Sequence, residues 1–235
     1  GVENVYLKGA DINAKLFLLT QNANPQKAEN TSSTPEKSLA LLLKKLVLDE
    51  VKIVYDNTAI APTKSGMDFN HLNFPKLNLE LRDFKMKDGT FAGTINSAEI
   101  QEKRGLNIQK FYTDFLYENQ HAYLKDLYLQ TPKTILRDEV VLNYNSMQQL
   151  SANPGSVQVL ANIKNSKIGF SDILMLVPTL RNTAPFNKYP NAILNVNTRL
   201  KGTLNDLNIQ TLQLSGLDQL KVSASGTIKN AMKPK

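Results

Sequence analysis

Side chains that could carry catalytic or metal chemistry are few in this chain, and their spacing does not suit it. The two histidines, His71 and His121, lie fifty residues apart, and no carboxylate pattern accompanies either. A zinc site needs three or four ligands at defined spacings, and the absence of cysteine removes thiolate ligands and disulfides. We therefore expect no metal site and interpret both histidines as surface or strand-edge residues.

Neighbouring carboxylates occur at Asp49-Glu50 and at Asp138-Glu139. Adjacent residues of a strand point to opposite faces, so neither pair can converge on one glycosidic bond, although distant carboxylates could still meet in space. The sequence also lacks a Gly-x-Ser-x-Gly elbow, a Gly-x-Gly-x-x-Gly turn and a P-loop. We expect a protein that is not an enzyme and that needs no cofactor.

The charge balance favours an anionic partner. Twenty-eight Lys and Arg against 21 Asp and Glu give a net charge of +7, which suits lipid headgroups, lipopolysaccharide or nucleic acid. The cations are scattered, the densest cluster is the pair Lys44-Lys45, and no basic patch is interleaved with aromatic residues, so we do not expect nucleic acid.

Targeting and membrane signals are missing from the sequence. No stretch approaches the ~20 apolar residues of a membrane helix. No signal peptide opens the chain, which begins at Gly1. We interpret it as a piece of a longer protein, with any membrane anchor outside it.

Alternation of apolar and polar residues dominates the chain and predicts strands with one apolar face. Turn residues separate the runs at intervals of about ten to twelve residues, the spacing of a meander, and Asp88-Gly89 is typical of a tight hairpin. The predicted fold is mainly β: an extended, curled antiparallel sheet that forms an open groove, a β-taco, with one or two short helices. The clearest runs begin at Leu77, Asp138, Val157, Leu194 and Leu220.

Two segments depart from this alternation. Residues 20–38 are polar, contain two prolines and predict a flexible loop. A short helix is predicted over 35–43, before a strand over 46–55, in addition to the helix described in the next paragraph. We expect a single β-rich domain over 1–19 and 39–230, and a tail at 231–235.

Residues 170–180 predict a helix with Ser171 or Asp172 as its N-cap and Pro178 as its stop. This helix, centred on 171–178, has two interpretations. It caps one end of a groove, or it packs on the apolar face of the sheet, which is the interpretation we favour.

One pattern occurs twice, as LKDLYLQT at 124–131 and LNDLNIQT at 204–211. We interpret Asp126 and Asp206 as turn formers before a strand, and each Gln-Thr pair as the exit from it. In the second copy, the apolar residues on either side of 210–211 are out of phase. A bulge or turn is therefore required there if they are to share one face.

Ordered phrases of the chain resemble the TamB proteins of Bacteroidetes, large envelope proteins of the AsmA-like group. The resemblance covers about residues 46–230 and leaves out the loop at 20–38. The phrases are GMDFNHLNFPKLNLELRDF (66–84), EKRGLNIQKFYTDFLYENQHAYLKDLYLQTP (102–132), NPGSVQVLANIKNSKIGFSDILMLVPTLR (153–181) and LNVNTRLKGTLNDLNIQTLQLSGLDQLKVSASGTIKN (194–230).

The resemblance implies a segment in the periplasm of a Gram-negative bacterium. The full-length protein would be anchored in the inner membrane and would reach toward an outer-membrane partner of the TamA/TamL type. Family members look like long β-taco grooves with an apolar interior. They are implicated in moving phospholipid between the membranes, and were earlier linked to outer-membrane protein assembly. The family has no catalytic residues to transfer to this chain.

Our lead hypothesis is a bridge-like lipid-transfer segment with phospholipid as the transported ligand, and it predicts an apolar trough that is open along one side and continuous at both ends. One alternative is an assembly factor or chaperone for outer-membrane proteins, which acts by β-augmentation and has a long unpaired edge strand. Another is a structural spacer with a closed, dry core. The candidate groove-lining residues are Leu77, Leu79, Leu81, Leu106, Ile108, Leu127, Leu129, Val140, Leu142, Val157, Val159, Ile163, Leu194, Val196, Leu207, Ile209, Leu220 and Val222.

Overall fold

The computed structural model describes residues 2–16, 40–146, 153–217 and 219–230. The predicted loop at 20–38 and the predicted tail at 231–235 lie outside these residues. So do residues 35–39 of the second predicted helix.

The described residues form one open, twelve-stranded sheet. From β3 onward each strand pairs antiparallel with the next in chain order, which confirms the predicted mainly β, antiparallel, non-closed architecture. A closed sandwich, as the spacer hypothesis predicts, is not formed. The strands are β1 Val2–Lys8, β2 Asp11–Leu16, β3 Leu41–Asn57, β4 His71–Lys87, β5 Thr90–Gln101, β6 Asn107–Tyr117, β7 His121–Gln130, β8 Ile135–Asn143, β9 Gln158–Gly169, β10 Ile193–Thr203, β11 Leu207–Gly216 and β12 Leu220–Ile228.

The N-terminal edge of the sheet differs from the rest. β1 and β2 follow one another along β3, and both pair with it in parallel. β3 already begins at Leu41, so the predicted helix is wrong at 41–43. The apolar run there is compatible with the periodicity of a helix and with that of a strand. It forms a strand because it pairs with β1 and β4.

The hairpin between β4 and β5 confirms the turn predicted at Asp88-Gly89. The φ angles of these residues are 49° and 78°, so both lie in the left-handed region that a two-residue type I′ turn requires. Glycine reaches this region without strain and Asp tolerates it.

Bulges curl the sheet. Acidic or amide residues with positive φ interrupt five strands, at Glu50 (54°), Asp83 (50°), Asp126 (48°), Asp138 (89°) and Asn165 (44°). The strand register shifts beside each of them. A bulge adds an unpaired residue, bends the strand and increases its twist. The bulges therefore bend the sheet while keeping the apolar residues before and after them on one side.

The two copies of the repeated pattern occupy different positions in the fold. Asp126 lies inside β7 at a bulge, so its interpretation as a turn former is wrong, whereas Asp206 does lie in the turn before β11. In the first copy Gln130 ends its strand, as predicted. In the second copy the Gln-Thr pair lies within β11 and does not end it, so that part of the prediction is wrong. The register does shift there, as the phase break required.

The predicted helix is present as α1, Phe170–Leu176, followed by a 3-10 turn over Pro178–Asn182. Its N-cap is Gly169 and not Ser171 or Asp172. The Asp172 carboxylate instead accepts hydrogen bonds from the hydroxyls of Thr131 and Thr134, both at 2.6 Å. The prediction missed this because the two threonines come from the β7–β8 turn, far away in sequence.

α1 contacts the connections at one end of the strands. The choice between capping a groove and packing on the apolar face stays a prediction. The Met67 amide donates to the Met175 carbonyl oxygen at 2.9 Å. A Cβ at Gly66 would lie 2.3 Å from Pro178 Cγ, so only glycine allows this approach. We call four of the connections at this end of the strands (58–70, 102–106, 131–134 and 170–192) the loop rim.

A buried carboxylate holds the first part of the loop rim in place. The side chain of Asp68 is 1% exposed and lies 3.3 Å from Arg104 Nη2. It accepts hydrogen bonds from the Thr63 and Asn70 amides at 2.8 and 3.1 Å, and contacts His71 Nδ1 at 3.1 Å. Because one carboxylate engages the 58–70 loop, β4 and the β5–β6 turn, it fixes their relative positions.

This arrangement predicts acid-sensitive stability. Burial by itself raises the pKa of Asp68, but hydrogen bonds from the Thr63 amide, His71 and the Asn70 amide outweigh it and lower the pKa from 3.8 to about 2. A folded-state pKa below the unfolded one gives stability that is present above the unfolded-state pKa and is lost as pH falls through the folded-state pKa. We expect Asp68→Asn to lower the melting temperature at neutral pH.

The difference in melting temperature between wild type and Asp68→Asn should shrink as the pH falls from about 4 to about 2, the window set by the two pKa values. Thermal unfolding followed by circular dichroism over this range measures the difference. Asp88→Asn, in the exposed β4–β5 hairpin, controls for the loss of one negative charge. A difference for Asp68→Asn that did not change with pH would contradict the assignment.

Candidate functional site: the concave apolar face

Strand register aligns apolar side chains into continuous rows on one face of the sheet. Directly opposed residues of neighbouring strands point to the same side. One row crosses β4 to β8 through Leu79, Ala98, Phe111, Leu129 and Leu136. A second row, toward the other ends of the strands, continues into β9 and consists of Phe91, Tyr117, Ala122, Leu142 and Val159.

This face is concave between β5 and β8, where a pocket of about 350 Å³ opens. Thr113 is a polar residue in its lining, but its hydroxyl donates to the Lys125 carbonyl oxygen at 2.8 Å, so the polar atom is already satisfied within the sheet. The volume lies within the range of sites for small apolar ligands. The main wall residues are Ile95, Phe111, Phe115, Leu124, Val140 and Leu142.

Most candidate lining residues predicted from the sequence share this face. Val140 and Leu142 line the pocket itself. Leu106, however, lies in the β5–β6 turn, and Val157 precedes β9 and is fully buried. Register places the others on the apolar face: Leu77, Leu79, Leu81, Ile108, Leu127, Leu129, Val159, Ile163, Leu194, Val196, Leu207, Ile209, Leu220 and Val222.

Nine of the eleven pocket-lining residues were missed from the sequence, among them Ile95, Phe111, Phe115 and Leu124. A signal was present in β6, because Phe111, Thr113 and Phe115 alternate with polar residues. The polar Thr113 in the middle of that row hid the pattern. A bulge follows Leu124, so the apolar set of β7 changes phase within the strand.

Burial of the face decreases toward the C-terminal edge of the sheet. Val159, Ala161 and Ile163 of β9 form a buried cluster. On β12, by contrast, Leu220 and Ile228 are substantially exposed. The concave sheet therefore shields its central strands better than this edge.

Asp138 is the exception within the apolar face. It pairs with Leu127 on one side and Ile163 on the other. Its Oδ2 atom is buried and has no hydrogen-bond partner among the described residues, and its φ is 89°. A buried, unpaired polar atom and a left-handed backbone each cost free energy, so the sequence maintains an unfavourable residue here.

We expect Asp138→Gly to raise the free energy of unfolding by about 1 kcal/mol, because glycine removes both the unpaired carboxylate and the strain. Asp126→Gly is the matched control, since Asp126 also has a positive φ at a bulge but is exposed. Urea unfolding of both variants gives the comparison. A gain for Asp126→Gly equal to that for Asp138→Gly would show that the carboxylate costs nothing.

Both histidines and Glu50, which were considered for chemistry from the sequence, have local partners. His71 contacts Asp68, and His121 Nδ1 lies 2.6 Å from Asn143 Oδ1. Glu50 pairs with Lys76 at 2.8 Å. Across the described ranges, no three His, Asp or Glu residues are placed to hold a metal ion, and no helix there is long and apolar enough to cross a membrane.

Comparisons of the chain with models of protein families, with curated proteins and with solved structures find no match.

Proposed function

We propose that this chain is a segment of a periplasm-spanning protein whose concave apolar face conducts phospholipid between the inner and outer membranes. The observation that carries the proposal is an apolar face that continues from strand to strand while the sheet stays open. Large exposed apolar surfaces on soluble domains mark interaction sites. An elongated, concave one suits an acyl chain.

The energetic demand of lipid transfer fits such a surface. An acyl chain of about 15 methylenes costs on the order of 12 kcal/mol to expose to water, at ~0.8 kcal/mol per methylene. Transfer between membranes is slow unless an apolar path shields the chain. The rows of Leu, Phe and Val provide that path across the strands, and the polar headgroup stays in solvent at the open side.

The surroundings of the segment belong to the same proposal. The sequence resemblance to TamB supports a periplasmic location, an inner-membrane anchor elsewhere in the full-length protein, and an outer-membrane partner of the TamA/TamL type. An open sheet extended strand by strand is also the geometry that a groove between two membranes requires. No step of this function needs a cofactor or a catalytic residue.

A second candidate function is assembly of outer-membrane proteins by β-augmentation. The observation that favours it is the outer edge of β12, which has no neighbouring strand among the described residues. An unpaired edge offers main-chain hydrogen bonds to an incoming strand. Crosslinks from β12 to client proteins, in place of lipid, would identify this function.

Leu142 and Val141 give a matched pair for testing lipid conduction. Leu142 lines the pocket, whereas Val141 is its neighbour on β8 and points to the opposite face. A photocrosslinking amino acid at 142 should capture phospholipid in cells, and the same group at 141 should not. Equal capture at the two positions, or none at 142, would overturn the proposal.

The corresponding charge substitutions test function directly. We expect Leu142→Asp to abolish co-purification of lipid, measured by extraction and mass spectrometry, because a carboxylate in the pocket would be desolvated by a bound acyl chain. Val141→Asp should retain the lipid. Circular dichroism of both variants separates loss of lipid from loss of fold.

A further inference from the structure

Five large apolar side chains of the loop rim are exposed. Two belong to the β3–β4 connection, Ile60 (46% exposed) and Phe69 (64%). Three belong to the connection between β9 and β10, Leu176 (51%), Val177 (44%) and Tyr189 (44%). Clustered exposure of large apolar side chains marks a binding surface, whereas scattered single exposures do not.

The two connections are joined to each other. The hydrogen bond from the Met67 amide to the Met175 carbonyl and the contact of Gly66 with Pro178 link the segments that carry Phe69 and Leu176. The Phe170 and Phe186 rings, 4.6 Å apart, tie the segment before Tyr189 to α1. The exposed apolar residues therefore lie on one assembled edge of the molecule.

Acidic and basic side chains of the loop rim differ in their exposure to solvent. Asp68 and Glu102 are buried, and Asp172 is held by two threonine hydroxyls. The exposed charges are cations: within the described ranges, no carboxylate lies within ion-pair distance of Lys64, Lys103, Arg181 or Lys188. The outward surface of the loop rim is therefore apolar and positively charged at once.

Net charge is distributed unevenly along the chain. Residues 1–150 contain 18 Lys and Arg and 18 Asp and Glu, a net charge of zero. Residues 151–235 contain 10 Lys and Arg and 3 Asp, a net charge of +7. The entire positive excess lies in the part of the chain that supplies α1 and the connection to β10.

We propose that the loop rim docks on the surface of an anionic lipid bilayer. Apolar side chains and a tyrosine at the interface, flanked by cations, are the chemistry that binds the boundary between headgroups and acyl chains. Each cation near an anionic surface strengthens binding by about fivefold. The three acids of the loop rim, Asp68, Glu102 and Asp172, are engaged by internal hydrogen bonds, so its exposed charges are positive. The proposal goes beyond lipid conduction and does not require the concave face to hold lipid.

Sedimentation with vesicles tests docking. The protein should bind vesicles that contain phosphatidylglycerol and phosphatidylcholine, and bind vesicles of phosphatidylcholine alone much more weakly. Arg181→Gln combined with Lys188→Gln should weaken binding about 25-fold, at about fivefold per cation. Phe69→Ser combined with Leu176→Ser should also weaken it, because the apolar contribution is lost.

Two matched double variants serve as controls. Lys201→Gln with Lys229→Gln removes the same charge from exposed positions at the opposite ends of the strands, and Leu42→Ser with Leu160→Ser removes exposed leucines near those ends. Both should bind as the wild type does. Equal weakening by the first control would mean diffuse charge attraction and would overturn docking through the loop rim.

Two further outcomes would also overturn the proposal. Equal binding to both kinds of vesicle would remove the role of anionic lipid. No vesicle binding, together with a dimer by light scattering that the Phe69→Ser and Leu176→Ser pair disrupts, would make the loop rim a contact between copies of this chain. Lipid captured at position 142 is a separate readout, so failure of docking and failure of lipid conduction remain distinguishable.

Discussion

A sheet with one apolar face and no second layer must shield that face by its own curvature. Bulges at Asp83, Asp126, Asp138 and Asn165 provide the bend, because each adds a residue to one strand and increases local twist. They also correct the phase of the apolar residues, which would otherwise turn to solvent halfway along a strand. The pocket between β5 and β8 and the buried cluster on β9 both depend on these short interruptions.

The loop rim organises one end of the strands around buried acids. Asp68 gathers the β3–β4 connection and the β5–β6 turn, and Asp172 attaches α1 to the β7–β8 turn. Using the carboxylates internally leaves the exposed surface of the loop rim with cations and apolar side chains. The interactions that stabilise this end of the molecule thereby also determine its electrostatic character.

The two proposals place different surfaces in contact with lipid. The concave face would shield acyl chains, and the loop rim would bind headgroups at a bilayer. Asp138 is unfavourable for the first role, because its buried Oδ2 atom has no hydrogen-bond partner in the described part of the chain. Sequences tend to violate local rules where function requires it, so Asp138 is the most informative single residue of the concave face.

The sequence by itself determined the strands, because alternation with a period of two shows which residues face the apolar side of the sheet. It also determined the β4–β5 hairpin, from Asp88-Gly89, and the irregularity at 210–211, from a break in phase. These features are local. Tertiary structure alone decided the rest: the parallel pairing of β1 and β2, the bulge at Asp126, and the capture of Asp172 by two threonines. Each depends on residues that meet only when distant strands or turns are aligned, and neither propensity nor spacing encodes that alignment.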